Sequence, residues 1–426
     1  MSAPDGKPLA HKRIESPSFL DDPDLRRVLA MLDRDGEEAR VVGGAVRNHL
    51  MGAPVTEVDI ATTALPETVV ARARASELRC VPTGIEHGTV TIVLHGTPFE
   101  VTTLRQDVET DGRRAKVAFG RDFSADAMRR DFTINALSVS PDGKIFDPAG
   151  GMADIAARRV RFIGDAETRI REDYLRIMRF FRFHAAYGEG APDAHALAAI
   201  ERSRRGLDTL SRERVRAELL KLLEAGRAGE AIDLMASLGL LVPILGGVAM
   251  PLTLARLIEI ERARATPPDP VLRLIALAVL QTDDAERLRQ RLRLSNDEFA
   301  RAAHAASALV RLHAQRAPPP PGDLRVFLFL HGRRAACDAL SLAHAQSRAP
   351  ADDAAWTSAA RFLADTPEPR MPFGGADLIR RGIPPGKAVG EVLKRLQAAW
   401  IRAGFPDAPQ DLTRLIQDAL EDRATR

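Results

Sequence analysis

The spacing of hydrophobic and polar positions changes about a third of the way along the 426-residue chain. Before residue 150, short apolar segments rich in β-branched residues predict strands at RVVGG, VTEVDIAT, TVTIVLHG and TPFEVTTLR, the last two forming a hairpin around Gly96. After residue 150, apolar residues recur at helical spacing, as in Arg169–Tyr187. Ser211 predicts the N-cap of a further amphipathic helix that runs to Leu223. The pattern predicts an α+β head followed by an all-helical remainder.

Changes in this pattern also predict where the segments of the chain begin and end. We expect an N-terminal lead at residues 1–24, a head at 25–150, a helical neck at 151–232, and a helical body and tail at 233–426. The charged residues 105–126 include two glycines and show no periodicity, which predicts a mobile loop within the head.

Composition narrows the possible partners and compartments. Arginine far outnumbers lysine, the formal net charge is +3 and the sequence pI is about 9.0, which permits a nucleic-acid or nucleotide partner. Two cysteines exclude a disulfide framework and a cysteine-rich zinc site, and favour a reducing, cytoplasmic location. No secretion signal is recognisable, and no apolar segment approaches the roughly 18 residues of a membrane span.

Two acidic residues separated by one position, Glu57 and Asp59, lie in the predicted strand VTEVDIAT. Alternate residues of a strand point to the same face, so the two carboxylates would repel each other unless a cation lay between them. Magnesium prefers oxygen ligands and suits this pair. Glu100, on a neighbouring predicted strand, is a candidate third carboxylate. A solvent-facing acidic edge is the alternative explanation for an isolated pair of this kind.

A glycine pair, Gly43 and Gly44, follows the first strand and precedes a short helix that contains Arg47. Glycine allows the backbone to approach a ligand closely, and a helix N-terminus attracts phosphate. A simple tight turn would leave the same pattern.

The segment RRDFTINAL offers further groups for a nucleotide. Arg129 and Arg130 present forked donors that suit a triphosphate. Asp131 and Asn135 are four residues apart and, on a helix, would share a face toward a ribose. An exposed basic pair at a helix start is the alternative.

The order of these segments is more specific than any one of them. GGAVR, EVDIATTA, TGIEHGTVTI, FEVTTLR, RRDFTINAL and REDYLRIMRFFRF occur in the order of class II tRNA nucleotidyltransferases, the CCA-adding enzymes, which the chain resembles. These enzymes share their head with bacterial poly(A) polymerases. SRERVRAELLKLL and FGGADLIRRGIPPGKAVGEVL resemble the later motifs of the same family.

The resemblance implies a DNA polymerase β-like nucleotidyltransferase head with a small mixed sheet. It implies two Mg²⁺ ions, CTP and ATP as substrates, and tRNA bound through its acceptor arm and T-arm, with no DNA and no membrane as partners. The catalytic carboxylates would be Glu57, Asp59 and Glu100. Two departures stand out: the family usually has aspartate at the positions of Glu57 and Asn48.

The resemblance also assigns a role to Asp173 and Arg176, three residues apart on the predicted neck helix, which by themselves suggest only a salt bridge. A carboxylate accepts and a guanidinium donates, so this pair can satisfy the base edges of both cytosine and adenine. Uracil and guanine would leave buried polar groups unpaired, at about 1–3 kcal/mol each. Arg179 is a further nucleotide contact one turn onward.

Three further neck residues are assigned to bracing these base-reading side chains: Glu172, Arg214 and Glu218. Two alternatives stay open at this stage. One is a related enzyme that adds poly(A), only CC or only A, and the other is an inactive tRNA-binding homologue.

Overall fold

The computed structural model describes residues 18–111 and 114–424, and the chain divides into two compact units between Ile244 and Leu245. Residues 1–17 of the predicted lead lie outside the described residues. The rest of that lead is folded: Ser18–Asp21 form a 3-10 turn, and the first helix begins at Pro23 with Asp22 as its N-cap. The finer boundaries predicted at residues 150 and 232 both fall inside the first unit and remain predictions.

A seven-stranded mixed sheet lies at the centre of the first unit, with strand order β3-β4-β5-β2-β1-β8-β9. Its strands are β1 (Ala39–Val42), β2 (Asp59–Thr62), β3 (Arg79–Gly84), β4 (Thr89–Leu94), β5 (Thr97–Thr103), β8 (Ser138–Val139) and β9 (Ile145–Phe146). A separate two-stranded sheet is formed by β6 (Arg105–Asp111) and β7 (Arg114–Phe119).

The pairing of the strands confirms the predicted hairpin and shortens one predicted strand. β4 and β5 are antiparallel neighbours across the turn at Gly96. β2 begins only at Asp59, which pairs with Val42 on one side and Glu100 on the other. Glu57 and Val58 precede β2 and form no strand. The prediction that both acids lie on one strand was therefore wrong.

Helices surround the sheet and continue into the neck. The helices of the first unit are α1 (Pro23–Leu32), α2 (Gly44–Leu50), α3 (Pro66–Ala75), α4 (Phe123–Met128), α5 (Gly151–Ala156), α6 (Ala166–Glu172), α7 (Leu175–Tyr187), α8 (Ala194–Ser203), α9 (Arg212–Glu224) and α10 (Ala228–Ser237). α11 (Leu241–Leu245) crosses the division between the units. The predicted N-cap Ser211 is confirmed, since its side chain accepts from the backbone of Arg214.

Two predictions of secondary structure were wrong. Most of the described part of the segment at 105–126 that was expected to be a mobile loop forms the antiparallel strands β6 and β7, and its end begins α4. The single helix expected at Arg169–Tyr187 is two helices, α6 and α7, because Asp173 between them is extended (φ −155°, ψ 106°). The Asp173 carboxylate accepts a hydrogen bond from the backbone N of Leu175 at 3.0 Å. This local bond competes with continuation of the first helix.

An aromatic cluster packs α7 against the head. Phe132, which comes from the segment after α4, is fully buried between Phe162 and the α7 residues Phe180 and Phe183. The ring centroids lie 4.9, 6.3 and 5.2 Å from that of Phe132, respectively. Burial of such side chains contributes about 1.5–3 kcal/mol each. α7 and the segment after α4 therefore share one core.

The second unit is helical throughout its described part. Its helices are α12 (Pro251–Ala263), α13 (Pro270–Ala278), α14 (Thr282–Leu292), α15 (Asn296–Leu309), α16 (Pro321–Gln346), α17 (Ala354–Asp365), α18 (Gly375–Arg380), α19 (Lys387–Arg402) and α20 (Pro409–Ala424). α16 is interrupted at Gly332, whose φ is 74°. Among the described residues, no helix combines the length and apolar character that crossing a membrane requires.

Candidate active site

Most of the predicted site residues line one cavity of about 520 Å³ in the first unit. The cavity brings together the glycine turn, the start of β2, the segment after α4 and the cavity-facing side of α7. Its lining residues are Gly43, Gly44, Arg47, Glu57, Asp59, Arg129, Arg130, Asp131, Asn135, Asp173, Arg176, Arg179, Arg182 and Phe183. A neighbouring cavity of about 270 Å³ shares Asp59, Arg129 and Arg130 and adds Glu100.

The glycine turn closes one end of the larger cavity. Gly43 has φ 69° and ψ −119°, and its backbone N donates to the carbonyl of Leu137 at 3.1 Å. A Cβ at this position would lie 3.0 Å from Nη1 of Arg130. Only glycine adopts this backbone conformation readily and lets Arg130 pack this closely. Gly44 then begins α2.

The three predicted carboxylates lie near one another at the edge of β2. Asp59 is accessible from the cavity, but the surrounding protein removes part of its hydration and raises its pKa. Arg130 opposes this rise in the Asp59 pKa, and Glu57 adds to it. Desolvation also raises the pKa of Glu100, and the negative charges of Asp59 and Glu57 raise it further.

These carboxylates fit a divalent cation by their chemistry, although they do not form a compact cage. Within the described part of the chain, no group of three or more acidic, histidine or cysteine side chains is close enough to hold a metal together. The donor set nevertheless consists only of carboxylate oxygens, and desolvation, with a further contribution from their like charges, raises the pKa values of Asp59 and Glu100. Such a set is stabilised by Mg²⁺.

The two adjacent arginines are held by an acid that the sequence analysis missed. Asp126, which is only 4% exposed, accepts from Nε of Arg129 at 2.9 Å, and its second oxygen accepts from Arg130 at 3.3 Å. Arg130 also donates to the backbone carbonyl of Asn135 at 3.3 Å. Asp126 lies within α4, three residues before Arg129 and four before Arg130. This helical spacing could have indicated that Asp126 contacts both arginines.

Asp131 and Asn135 lie together but not on an α-helix, so that part of the prediction was wrong. α4 ends at Met128, and Asn135 ends a short 3-10 turn. Nδ2 of Asn135 donates to Oδ1 of Asp131 at 3.1 Å, and Nε of Arg179 donates to Oδ2 at 2.6 Å. Burial opposes ionisation of Asp131, but the charge and hydrogen bond of Arg179 hold its pKa below the usual value.

Arg47 is buried and makes four hydrogen bonds. Its Nη1 donates to Oδ1 of Asn135 at 2.5 Å, its Nη2 donates to the Tyr187 hydroxyl at 2.8 Å, and both Nε and Nη2 donate to Oδ1 of Asn48 at 3.1 and 2.8 Å. Nδ2 of Asn48 donates to the carbonyl of Pro54 at 3.0 Å. An aspartate at position 48 could accept from Arg47 but could not make this second bond.

The two predicted base-reading residues lie at the junction of α6 and α7 with separate partners. Within the described residues, no ion pair joins Asp173 to Arg176. Arg176 donates to Glu172 at 2.5 Å, and Asp173 accepts from Arg214 at 2.6 Å. Both residues line the cavity, and their partners Glu172 and Arg214 are two of the residues predicted to brace them.

The third predicted bracing residue, Glu218 on α9, contacts different arginines. It is 7% exposed and forms ion pairs with Arg182 at 2.7 Å and with Arg179 at 3.6 Å. The contact with Arg182 is close but not aligned as a hydrogen bond. Arg182 lines the cavity and was missed, although Arg176, Arg179 and Arg182 recur every three residues on α7.

Comparison with known proteins shows to which family the chain belongs. Residues 39–161 match the family model described as the poly A polymerase head domain, and residues 192–250 match that of a probable RNA and SrmB-binding site of polymerase A. The chain is 35% identical over 400 residues to CCA tRNA nucleotidyltransferase 1, mitochondrial, of Danio rerio, covering 88% of this chain and 86% of that protein. The chain belongs to the CCA-adding tRNA nucleotidyltransferase family.

Two further members of the CCA-adding family match over nearly their whole length. The human protein, also named CCA tRNA nucleotidyltransferase 1, mitochondrial, is 32% identical over 95% of this chain and 93% of its own. The crystal structure of the Bacillus stearothermophilus CCA-adding enzyme in complex with CTP covers 94% of this chain and 98% of its own, with a TM-score of 0.75 and 29% identity. These matches confirm the predicted nucleotidyltransferase head and helical remainder.

The predicted cytoplasmic location was wrong. The zebrafish and human CCA-adding relatives are both named as mitochondrial. The prediction rested on two cysteines, which argue against a disulfide-rich secreted protein but do not distinguish one reducing compartment from another.

Proposed function

We propose that the chain adds C, C and A to the 3′ end of tRNA, using CTP and ATP and no nucleic-acid template, and releases pyrophosphate at each step. Membership of the CCA-adding family supports this reaction. The observation that carries the residue assignment is the single cavity, which is lined by carboxylates at the β2 edge, by arginines after α4 and by the predicted base-reading residues at the junction of α6 and α7. One bound nucleotide could therefore contact the carboxylates through its phosphates and the base-reading residues through its base.

The head would perform the phosphoryl chemistry. The 3′-hydroxyl oxygen of the RNA forms a bond to the α-phosphorus, and the bond from that phosphorus to the oxygen bridging to the β-phosphate breaks. Glu57 and Asp59, with Glu100 beside them, would hold two Mg²⁺ ions. These ions, when bound, favour deprotonation of the hydroxyl and neutralise the leaving pyrophosphate. Arg129 and Arg130, oriented by Asp126, would bind the phosphates.

The neck would select the base. Asp173 and Arg176 lie on the cavity wall, and their partners Arg214 and Glu172 fix the orientation of each side chain before a nucleotide arrives. An incoming cytosine or adenine would then accept from Arg176 and donate to Asp173. Arg179, bonded to Asp131, would supply a positive charge beside the nucleotide. Preorganised donors of this kind need little rearrangement during the reaction.

The remaining helices would bind the acceptor arm and T-arm of tRNA. The arginine-rich composition supports phosphate contacts, and binding should therefore weaken steeply as salt rises. DNA of the same length and a lipid surface should compete poorly.

The reaction is tested with a tRNA that ends before its CCA sequence. The tRNA is incubated with Mg²⁺ and CTP alone, ATP alone or both, and the products are sized. Addition of three nucleotides with both substrates is expected. A long ladder with ATP alone would indicate poly(A) synthesis, and tight tRNA binding with no extension would indicate an inactive homologue.

The base-reading assignment has its own test in the same assay. Arg176→Ala should reduce the preference for CTP over UTP by a factor of about 10 or more, since a lost hydrogen bond to a charged group is worth roughly 1.5–3 kcal/mol. Arg202→Ala, which removes a mostly exposed arginine of α8 that pairs with Glu167, is the matched control. Unchanged discrimination in Arg176→Ala would refute the assignment.

A further inference from the structure

Two polar contacts attach α7 to the head, and they lie far apart on the helix. Near its middle, Arg179 donates to Asp131 at 2.6 Å. At its last residue, the hydroxyl of Tyr187 accepts from Nη2 of Arg47 at 2.8 Å. Eight residues separate Arg179 from Tyr187, which is about 12 Å along a helix. The aromatic cluster around Phe132 also packs α7 against the head, and the two polar contacts add directional constraints to that packing.

Aromatic contacts accompany the hydrogen bond between Tyr187 and Arg47. The Arg47 guanidinium carbon lies 4.1 Å from the centre of the Tyr187 ring and 5.3 Å from that of Phe183, and the two rings stack on each other at 5.8 Å. The buried Arg47 guanidinium thus lies over both rings and also donates to the Tyr187 hydroxyl, and these contacts together fix the position of the Tyr187 ring.

Arg47 connects Tyr187 to the parts of the head that the proposed chemistry uses. Four of the five N–H groups of its guanidinium donate to Asn135, Asn48 and Tyr187. Asn135 in turn bonds Asp131, and Asn48 holds the carbonyl of Pro54 in the segment that leads to Glu57. With so few donors left, Arg47 is better suited to positioning its neighbours than to binding phosphate.

We propose that Tyr187 is a positioning residue that, through Arg47, sets the orientation of α7 relative to the head and so controls base choice. This inference rests on the proposed function. With both contacts intact, two polar contacts fix α7 to the head at Arg179 and at Tyr187. Without the contact at Tyr187, Arg179 alone fixes it in this way, so the packed helix shifts and Arg176, three residues from Arg179, moves with it relative to a nucleotide whose phosphates stay in the head. Displacements of about 1 Å are enough to impair such alignment.

The test uses Tyr187→Phe, which removes the hydroxyl and keeps the ring over Arg47. The readout is the ratio of kcat/KM for CTP to that for UTP, with the full-length protein and tRNA lacking CCA. This ratio does not depend on the fraction of enzyme that is folded, so a merely structural role would leave it unchanged. We expect it to fall about tenfold, as the loss of a hydrogen bond to a charged group implies.

A double-mutant cycle tests whether Tyr187 acts through Arg47. Arg47→Lys keeps the charge but cannot reproduce the forked hydrogen bonds. If the two residues act together, Tyr187→Phe should change the ratio less than twofold in the Arg47→Lys protein. Tyr174→Phe removes the only other tyrosine hydroxyl of the chain and should leave the ratio unchanged.

Three results would overturn the inference: an unchanged ratio in Tyr187→Phe, independent effects of the two substitutions, or an equal fall in Tyr174→Phe. The wild-type protein is assayed in parallel. If it adds no C or A, the proposed function fails. If the wild-type protein is active and selective and Tyr187→Phe has the same CTP-to-UTP ratio of kcat/KM, only the role of Tyr187 fails.

Discussion

At the scale of single residues, the candidate site is organised by arginines whose positions are set by protein partners. Arg129 and Arg130 share Asp126, Arg179 bonds Asp131, and Arg47 bonds an asparagine on either side. Arg129 and Arg130 have more donors than these contacts use, so groups remain for a ligand, whereas four of the five N–H groups of Arg47 are already bonded. The side-chain order that a polyanionic substrate needs therefore exists before it binds.

Asp59 is expected to lower the stability of the metal-free protein while being required for activity. Its pKa is raised in the folded protein, so its ionised form is penalised at neutral pH, and the penalty vanishes below the ordinary pKa of 3.8. Asp59→Asn should therefore unfold at a higher temperature than the wild type at pH 7 in EDTA. Its transfer activity should fall by a factor of about 10³ or more, because the metal-binding charge is lost.

Added Mg²⁺ provides the control for Asp59→Asn. The cation should stabilise the wild-type protein and close most of the gap in melting temperature, while leaving the variant nearly unchanged. A variant that is less stable than the wild type in EDTA would contradict the interpretation of Asp59 as a carboxylate whose ionised form is disfavoured, above all by desolvation.

The same carboxylates predict how activity depends on pH. The pKa values of both Asp59 and Glu100 are raised, above all by desolvation, so the acid side of the rate profile should lie above the ordinary values of 3.8 and 4.5. Protons and Mg²⁺ compete for these oxygens. Raising Mg²⁺ should therefore move the acid limb to lower pH, and a limb that is independent of Mg²⁺ would argue against metal binding here.

At the scale of secondary-structure elements, the turn from β1 into α2 carries the most local constraint. Gly43→Ala should cost about 1–3 kcal/mol of the free energy of unfolding, because φ is 69° and ψ is −119° and the new methyl group would lie 3.0 Å from Arg130. Displacing Arg130 should also weaken nucleotide binding. Urea denaturation and the KM for CTP measure the two effects.

Gly44→Ala is the matched control for that turn. Its φ is not positive, and its Cβ would make an ordinary 3.6 Å contact with Arg47, so it should be neutral or stabilising by about 0.5 kcal/mol. Equal losses in the two variants would show that the turn is sensitive to any side chain and not to the backbone conformation of Gly43.

Elements decided by hydrophobic spacing and turn residues were predicted correctly, but two element boundaries were not. The β4–β5 hairpin and α9 follow from local alternation, turn residues and a serine cap. β2 begins only at Asp59, and α6 ends because the Asp173 side chain bonds the next turn. Neither event leaves a mark in the periodicity of the sequence.

At the scale of the whole molecule, the second unit contains a buried histidine that should make its stability depend on pH. His344 is fully buried, stacks on Trp356, and bonds the Pro350 carbonyl through Nε2 at 2.8 Å and Arg264 through Nδ1 at 3.0 Å. Burial lowers its pKa, the Pro350 bond partly opposes this, and the Arg264 charge lowers it further. The neutral form is therefore the one that the fold favours.

This pKa shift has a definite sign. Because the folded pKa lies below the ordinary value of 6.5, stability is fully present above that value and is lost as the pH falls below it. The slope from one proton is at most about 1.4 kcal/mol per pH unit. Both tryptophans of the chain, Trp356 and Trp400, lie in the second unit, so their fluorescence during urea denaturation reports on it.

His344→Phe should flatten the dependence of stability on pH between pH 7 and 5. It should also lower stability at pH 8, because Arg264 and the Pro350 carbonyl lose their hydrogen bonds to His344. His313→Gln, at an exposed position of the same unit, should leave the slope as it is. If the slope survived in His344→Phe, another group would be responsible.

The sequence by itself determined the fold class, the family and nearly every residue of the candidate site. These follow from local periodicity and from the order of short motifs, which a linear chain carries in full. Only the tertiary structure decided which partners the charged groups take from distant parts of the chain: Arg214 for Asp173, Asp131 for Arg179, and Tyr187 for Arg47. Such pairs form between side chains that burial brings together, and their distances depend on packing that no local pattern records.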